Sequence, residues 1–556
     1  MMSQFIKMSA MHAFKGKRFL NYFLAVLLIA GAFLLLKGTS IYHKKEPAAD
    51  YNVEICIYGG TSAGVIAAYT AKMEGRSVLL ISPGRHLGGL SSGGLGATDV
   101  GRQESVTGLS RDFYRRLGKK YGLDDVAWHF EPRIAEEVFN DYIREADIEV
   151  LYDYHITGVQ KRGTDIRTIT LKDHEHGKPG VVVNAGIFID CSYEGDLMAL
   201  SGVSYTVGRE SNSQYGETWN GVQISRDNQV PEGIDPYVVR GDSTSGLIWG
   251  VSPEPVAETG SGDNKVQAYC YRLCLSRDPE NSIPVARPDN YDPAHYEVLR
   301  RIIQQRDSLG WVQRIHQLYL RIIDMPNDKT DINNKGGFSL SMAGENWEYP
   351  EADYWQRKEI AKKIEDYNRG IIYFLGHDPD VPEHVREQML QYGWAKDEFV
   401  GNNNFPHQLY IREARRMTGE IVMTEHHCMS REFVSDGIAR GSYNMDSHNC
   451  DRHVINGMVM NEGDVQVSLP KPYDISYRAI LPLRGECTNL LVPVCLSATH
   501  IAYGSIRMEP VFMMLGQAAG LAASLALDEG IALHDLHVKK IREGLQIDPG
   551  NPQAAR

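Results

Sequence analysis

Basic residues are scarce in the body of this 556-residue chain. The first 45 residues contain seven Lys or Arg and no Asp or Glu, which leaves 51 of the 58 basic residues against all 71 acidic ones in the remainder. A body with this surplus of negative charge repels a phosphate backbone. We therefore expect no nucleic-acid partner.

Cysteine pairs at metal-binding spacing are also missing. The eight cysteines include no C-x-x-C pair, and the closest pair, Cys270 and Cys274, has no second pair or histidine cluster beside it. Zinc sites and iron–sulfur clusters require such spacings. Residues 425–428 (EHHC) have metal-ligand side chains, but adjacent histidines on a strand point to opposite faces. We expect neither a metal ion nor a 4Fe-4S cluster.

The N-terminal region contains one long stretch without charge. Residues 19–36 are uncharged, and basic residues flank them on both sides. This length is about the minimum for a transmembrane helix, whereas a secretory signal has a shorter apolar region. Both interpretations, a membrane anchor or an export signal, place the body outside the cytoplasm, in the periplasm. A buried core helix is the alternative.

A glycine-rich turn follows the first apolar strand of the body. Residues 53–58 predict a strand, residues 65–73 a helix and residues 77–82 a second strand. Such a unit binds a dinucleotide pyrophosphate at the helix N-terminus. The turn consists of Gly59, Gly60, Thr61, Ser62, Ala63 and Gly64. Two features differ from the usual pattern: Thr61 replaces the middle glycine, and Ser82 ends the second strand where an acidic residue would bind a ribose. A tight turn without a ligand is the alternative.

Two later segments also have residues suited to a cofactor. Asp190 ends a predicted strand and is followed by Gly195 and Asp196, whose groups could contact a ribityl or ribose chain; the alternative is that both acids cap a helix. In residues 495–520 a loop leads into a helix with small residues, among them Gly516. That helix could approach a flavin ring, or it could pack closely on another helix.

Together, the motifs at residues 59–64, 86–99, 190–196 and 497–520 resemble those of the bacterial FAD-dependent oxidoreductase family. The resemblance covers about residues 52–530 and implies a two-lobed, glutathione-reductase-like flavoprotein with FAD in an extended pose; some relatives are labelled xanthan lyase. It implies cofactor contacts from Gly59, Gly60, Thr61, Ser62, Ala63, Gly64, Ser82, Arg85, His86, Gly88, Gly89, Ser91, Ser92, Gly93, Gly94, Asp190, Gly195, Asp196, Arg507, Pro510, Gly516 and Gln517. No second G-x-G-x-x-G unit is present, so we expect direct electron exchange with a small substrate and an electron acceptor or donor that the sequence does not identify.

The predicted fold class is α/β, with a Rossmann-like FAD-binding domain and an inserted α+β substrate or cap lobe, preceded by one transmembrane or signal helix. The predicted segments are a basic tail (1–18), the apolar helix (19–36), a linker (37–51), the FAD-binding domain (52–211), the cap lobe (212–440), the return of the FAD-binding domain (441–530) and a C-terminal tail (531–556). Within them, periodicity predicts helices at 109–117, 134–143, 296–309, 354–375 and 510–527, and strands at 149–154, 168–171, 181–190, 478–483 and 489–494.

Four residues are candidates for catalysis. On a predicted helix, Arg412 would share a face with Arg416 and could hold a substrate carboxylate or hydroxyl; an ion-paired structural helix is the alternative. His407 lies in the same stretch. His448 or His500 could remove a hydroxyl proton as hydride leaves for the flavin, although a lone histidine more often has a structural role.

The predicted function is FAD-dependent hydride transfer between the flavin and a small polar, hydroxylated substrate, with sugars and uronic acids as candidate classes. Aromatic faces suit the C–H surfaces of sugars, and the middle of the chain offers Trp219, Trp249, Trp311, Trp347, Trp355 and Trp394. Two alternatives are a carbohydrate-active lyase and a non-catalytic, membrane-anchored flavin-binding protein.

Overall fold

The glycine-rich turn lies at the centre of a seven-stranded sheet in the computed structural model, which describes residues 50–546. The predicted segments 1–18 and 19–36, nearly all of the linker and the last ten residues lie outside the described residues. The strands are β1 Tyr51–Tyr58, β2 Val78–Ser82, β3 Glu149–Tyr152, β4 His155–Arg162, β5 Asp165–Lys172, β6 Val181–Asp190, β7 Tyr205–Thr206, β8 Leu275–Ser276, β9 Ser282–Ile283, β10 Leu320–Met325, β11 Lys329–Asn334, β12 Gly393–Ala395, β13 Arg416–Met417, β14 Gly437–Gly441, β15 Met445–Ser447, β16 Asp451–Ile455, β17 Met458–Glu462, β18 Val465–Val467, β19 Tyr473–Ser476 and β20 Leu490–Leu491.

The helices follow the same chain order. They are α1 Ser62–Met73, α2 Gly108–Lys120, α3 Pro132–Glu145, α4 Asp196–Leu200, α5 Asn212–Tyr215, α6 Glu297–Ser308, α7 Ile315–Leu318, α8 Tyr354–His377, α9 Glu383–Met389, α10 Glu425–Cys428, α11 His500–Ile506, α12 Glu509–Glu529 and α13 Val538–Gly544. The five predicted helices correspond to α2, α3, α6, α8 and α12, within a few residues at each end.

The large sheet has the order β3-β2-β1-β6, and both β5 and β20 pair with β6. β3, β2, β1, β6 and β20 are parallel, whereas the hairpin of β4 and β5 is antiparallel. The second half of β1 and all of β2 are buried, because both faces of the sheet are covered there. The prediction of an α/β fold with a mostly parallel nucleotide-binding sheet is confirmed.

A second sheet of five strands has the order β10-β11-β8-β12-β9 and is antiparallel throughout. All its strands come from the segment predicted as the cap lobe. Three local predictions were wrong. The stretch around Arg478 is a short 3-10 turn, because Ser476 caps it. The residues between Tyr410 and Arg416 are not helical, so Arg412 and Arg416 share no helix face. His426 and His427 lie on α10, not on a strand.

The helix α12 packs directly against α1 at two glycines. A Cβ atom on Gly516 would lie 2.4 Å from the Ala63 carbonyl oxygen, and one on Gly520 would lie 2.5 Å from that of Ala67. α12 is also the one helix of residues 50–546 whose length and composition would suit a membrane span, but 83% of its apolar window is buried inside the protein. It is therefore a core helix, and its glycines allow two helix backbones to come together.

One buried carboxylate joins the start of α12 to the nucleotide-binding turn. Glu509 accepts hydrogen bonds from Ser62 Oγ at 2.5 Å, Ser91 Oγ at 3.3 Å and Tyr193 Oη at 2.7 Å. These donors lie in α1, in the loop after β2 and in the loop after β6. Burial raises the pKa of Glu509 to about 7, because a charged carboxylate is poorly solvated there.

We expect Gly516→Ala to destabilise the protein by about 1–3 kcal/mol, since the added methyl group would force α12 away from α1. Urea unfolding measures the effect. Gly485→Ala is the matched control, because no atom lies within 4 Å of its added Cβ. Its free energy of unfolding should be unchanged or slightly higher. Equal stability of the two variants would contradict the close packing.

We expect Glu509 to make stability depend on pH. Its pKa is higher in the folded protein than in the unfolded chain, so the folded state holds the proton more tightly between pH 4.5 and about 7. The contribution is complete below pH 4.5 and is lost as pH rises toward 7, by on the order of 3 kcal/mol. Glu509→Gln should remove this loss. The measurement is urea unfolding of both proteins across that range, and parallel pH profiles would disprove the assignment.

Candidate functional site

A cavity of about 1130 Å³ lies beyond the carboxyl ends of β1, β2 and β6. Ligands of open α/β sheets bind in this position, and the volume exceeds the roughly 300–1,000 Å³ typical of small-molecule sites. Eight predicted cofactor residues line it: Gly59, Gly60, Thr61, Ser82, Arg85, His86, Gly89 and Asp196. The first strand–turn–helix unit thus faces a space large enough for a dinucleotide.

Thr61, which replaces the middle glycine of the usual pattern, has a structural role. Its hydroxyl caps α1 by accepting from the Gly64 N–H at 3.3 Å, and it donates to the Cys191 carbonyl oxygen at 2.8 Å. A glycine could make neither contact. Gly64 itself is required, because a Cβ there would lie 1.9 Å from the Gly59 carbonyl oxygen. The turn keeps the first N–H groups of α1 at the cavity, where they can attract an anion.

Hydrogen bonds, ion pairs and a stacked ring fix the residues around Ser82. The Ser82 hydroxyl donates to the His86 carbonyl oxygen at 3.5 Å, and Arg85 pairs with Asp153 at 3.1 Å. His86 pairs with Glu136 at 2.8 Å, and its ring stacks on that of His407 at a centroid distance of 3.9 Å. His407 therefore lines this cavity, and both of its ring nitrogens are buried without a partner.

Several aromatic side chains line one part of the cavity. The rings of His174 and Tyr354 stack at 4.5 Å, and His155 meets Tyr354 edge-on at 4.4 Å. Trp355 stands beside them and is the one tryptophan of the described residues in the cavity wall. Sequence analysis did not assign His155, His174 or Tyr354, because the β5–β6 hairpin and α8 meet only in the folded chain.

Residues 91–94, which were predicted to run under the flavin, pack against the segment around residue 408. A Cβ on Gly93 would lie 2.3 Å from Gln408 Cβ, and one on Gly94 would lie 2.2 Å from the Arg272 carbonyl oxygen. Ser92 donates to the Leu87 carbonyl oxygen at 2.6 Å, and Ser91 binds Glu509 as described above. A Cβ on Gly88 would meet the Phe139 ring at 2.2 Å. These residues fix the loop.

The two acids after β6 have different roles. Asp190 is buried and accepts from the Ser192 and Met198 N–H groups at 3.0 and 2.8 Å, so it caps α4 as the alternative interpretation proposed. Gly195 precedes α4 with a φ of +70°. Asp196 lines the cavity and pairs with Arg357 and Arg415, each at 2.7 Å.

Three residues of α12 that were predicted to contact the cofactor contact neighbouring helices and do not line the cavity. The Pro510 carbonyl oxygen accepts from Ser110 Oγ at 2.9 Å, and Gln517 Oε1 accepts from the Leu109 N–H at 2.9 Å. Gly516 faces α1. Their contacts with the cofactor stay predictions, since each has a structural role that needs no ligand.

A second polar centre is fully buried just before α12. Arg507 donates to the Tyr410 hydroxyl at 3.2 Å and to the Asp446 carboxylate at 3.4 Å. Arg412 and Arg272 lie over the Tyr410 ring, at 4.5 and 5.7 Å from its centroid. We call Arg272, Arg412 and Arg507 the arginine cluster.

His448 adjoins this cluster. Its Nε2 lies 3.6 Å from Asp446 Oδ2, and its Nδ1 is buried without a partner. Burial and, to a smaller extent, the positive charge of Arg412 lower the pKa of His448 to about 4. The imidazole is therefore neutral at neutral pH, with one nitrogen free to accept a proton.

His500 is fully engaged elsewhere. Its Nδ1 lies 2.8 Å from both oxygens of Glu413, and its Nε2 lies 3.0 Å from Ser447 Oγ. Because both ring nitrogens have protein partners, the structure favours a positioning role for His500 over the predicted catalytic one.

Unpartnered donors show that this buried centre suits an oxygen-rich group. The buried donor nitrogens of this centre without a hydrogen-bond partner are Arg272 Nη1, Arg412 Nε, Arg507 Nε and Gln267 Nε2. Unsatisfied buried donors are costly in a native protein unless a ligand fills the space between them. The pyrimidine edge of a flavin offers carbonyl oxygens and ring nitrogens, and a polar substrate offers similar acceptors. Together with the glycine turn and the cavity, the residues present fit FAD.

In the described part of the chain, one set of three acids has metal-like spacing: Glu131, Asp397 and Glu398. The Lys329 ammonium contacts all three, at 2.6, 2.7 and 2.7 Å. The lysine neutralises the acids in the position where a cation would bind.

Comparison with known proteins agrees with this geometry. Residues 54–545 match the family model described as FAD dependent oxidoreductase. No curated protein sequence matches the chain.

Solved structures match smaller parts. OxyS anhydrotetracycline hydroxylase from Streptomyces rimosus is 13% identical over 29% of this chain and 36% of that one, with a TM-score of 0.23. A flavoprotein/dehydrogenase from Cytophaga hutchinsonii is 16% identical over 28% and 44%, with a TM-score of 0.23. A 3-ketosteroid dehydrogenase from Rhodococcus jostii is 12% identical over 29% and 50%, with a TM-score of 0.21. The chain spans half or less of each of these proteins. The family match, in contrast, extends over nearly all of the described residues, and the chain belongs to the FAD-dependent oxidoreductases, with FAD as its cofactor.

Proposed function

We propose that this protein oxidises or reduces a small, polar, hydroxylated substrate by hydride transfer, with His448 as the proton acceptor. Bound FAD supplies the hydride-accepting position. The observation that supports the proposal is the buried, neutral His448 with an unpartnered Nδ1 beside the arginine cluster.

The residues around His448 can position its imidazole for proton transfer. Asp446 holds the imidazole through Nε2, which leaves Nδ1 to take a hydroxyl proton from the substrate. The Gln267 side-chain oxygen accepts from both the His448 N–H and Arg507, at 3.1 and 3.3 Å, and so fixes the histidine relative to the cluster. Asp446, Gln267 and Arg507 are buried and 13% of the His448 side chain is exposed, which limits the access of bulk water to the proton transfer.

Fewer tryptophans are available to bind a carbohydrate than the sequence suggested. Trp394 is buried against Phe405, and the Lys265 ammonium lies over the Trp347 ring at 4.8 Å from its centroid, so neither ring is free on both faces. A small hydroxylated compound is the better-supported class, and a sugar derivative is one member of it. A lyase would need a basic residue beside a charge-neutralising site and would have no use for the flavin.

We propose further that the body is extracytoplasmic, held by residues 19–36 or exported through them. The basis is the uncharged run with its flanking basic residues. All eight cysteines lie in the described residues, where they are buried and unpaired.

The test of the function is anaerobic bleaching of the flavin absorbance by a panel of hydroxy acids, polyols and sugars. For a compound that bleaches the wild type, His448→Gln should slow bleaching by about 10²–10⁴-fold with unchanged FAD content. The wild-type rate should fall as pH drops through about 4, because protonated His448 cannot accept a proton.

His384→Gln is the matched control, since that histidine is exposed on α9 and should leave the rate unchanged. A wild-type rate in His448→Gln would remove His448 from the mechanism. A flavin that no compound of the panel reduces would favour a non-catalytic flavin-binding protein.

A further inference from the structure

We propose that the buried site binds an anionic group, with Arg412 as its anchor, so that the substrate carries a carboxylate. This inference rests on the proposed function, because it assigns the substrate class of the same site.

Arg412 is a buried cation without a counter-ion. Its exposure is 1%, and within residues 50–546 no carboxylate oxygen lies within ion-pair distance of its guanidinium. Its Nη1 donates to the Ala268 carbonyl oxygen and its Nη2 contacts Cys270 Sγ at 3.4 Å, whereas its Nε has no partner. A carbonyl and a thiol do not neutralise a guanidinium, so the cost of burying the charge is left uncompensated.

Three other buried arginines show the contrast, whereas Arg452 also lacks a carboxylate among the described residues and donates to Asn461 Oδ1 and the Gly250 carbonyl oxygen. Arg272 forms two hydrogen bonds with Asp331, at 2.7 and 2.5 Å. Arg416 pairs with Glu210 at 2.7 Å, and Arg209 pairs with both Asp263 and Glu462. Each of these three arginines has the carboxylate that buried cations normally require, and Arg412 does not.

The acids near Arg412 are already committed or uncharged. Asp446 is shared by Arg507 and His448. Burial raises the pKa of Asp464 to about 8, so this acid is mostly neutral at neutral pH. An additional negative charge brought by a ligand would therefore complete the balance of the cluster.

The unpartnered donors define what that ligand must offer. Arg412 Nε, Arg507 Nε and Gln267 Nε2 all require acceptors, and a carboxylate provides several lone pairs in one small planar group. Arg412 lies over the Tyr410 ring, and Arg507 donates to the hydroxyl of the same tyrosine. Tyr410 thus contacts both guanidinium groups and fixes their positions. His448 adjoins them, so a hydroxyl carbon next to the bound carboxylate would lie near the proton acceptor. A 2-hydroxy acid has this arrangement.

The test uses acetate as the anion and acetamide, its neutral isostere, on the oxidised FAD-loaded protein. Acetate should raise the melting temperature and shift the flavin absorbance, and acetamide should do neither. In Arg412→Met the apparent affinity for acetate should fall at least tenfold with unchanged FAD content, and Arg412→Lys should retain part of it. Arg416→Met is the matched control: it should melt at a lower temperature than the wild type and keep its acetate response.

Three outcomes would overturn the assignment: no acetate response in the wild type, an equal response to acetamide, or an Arg412→Met protein that is purified without FAD. The last result would place Arg412 on the cofactor. Failure of the proposed function is a separate observation, because acetate binding does not require turnover. If neutral polyols bleach the flavin as fast as the matched hydroxy acids, the function stands and the carboxylate anchor does not.

Discussion

The burial of one carboxylate, Glu509, connects the parts of the chain that form the cofactor site. Its three hydrogen-bond donors come from the nucleotide-binding turn, the loop after β2 and the loop after β6, and it is itself the first residue of the core helix α12. Glu509 lies more than 300 residues from each of these donors in sequence. A buried acid whose partners come from all three segments fixes their relative positions, since moving any one would leave a polar group unsatisfied.

Close backbone contacts complete the same arrangement. Gly516 and Gly520 let α12 lie directly on α1, and Gly64 lets α1 lie directly on the turn that precedes it. Small residues are thus used to bring backbones together, which places the N-termini of α1 and α12 near one another. Helix N-termini favour negative charge, so their convergence gives this part of the protein a preference for anionic groups of a cofactor.

The buried centre before α12 shows a different balance. Within the described part of the chain Arg412 has no carboxylate partner, and several buried donors of the centre have no acceptor. In a structural ion-pair network each buried charge has its own counter-ion, as Lys329 has among its three acids. A centre that is incomplete in this way has the character of a binding site, because a ligand with several acceptors can satisfy its donors.

The sequence by itself determined the strand–turn–helix unit, the limits of its strands and helices and the family, because these depend on local periodicity and on glycines at fixed spacing. It also indicated Arg412 and His448 as candidates, but it could not separate them from His500 or from the small residues of α12. Those distinctions depend on which polar atoms find partners across the fold: Glu413 saturates His500, Gln517 caps α2, and Arg412 is left without a carboxylate. Only the tertiary structure decided them, because hydrogen-bond partners come from residues distant in sequence, whose proximity no local pattern records.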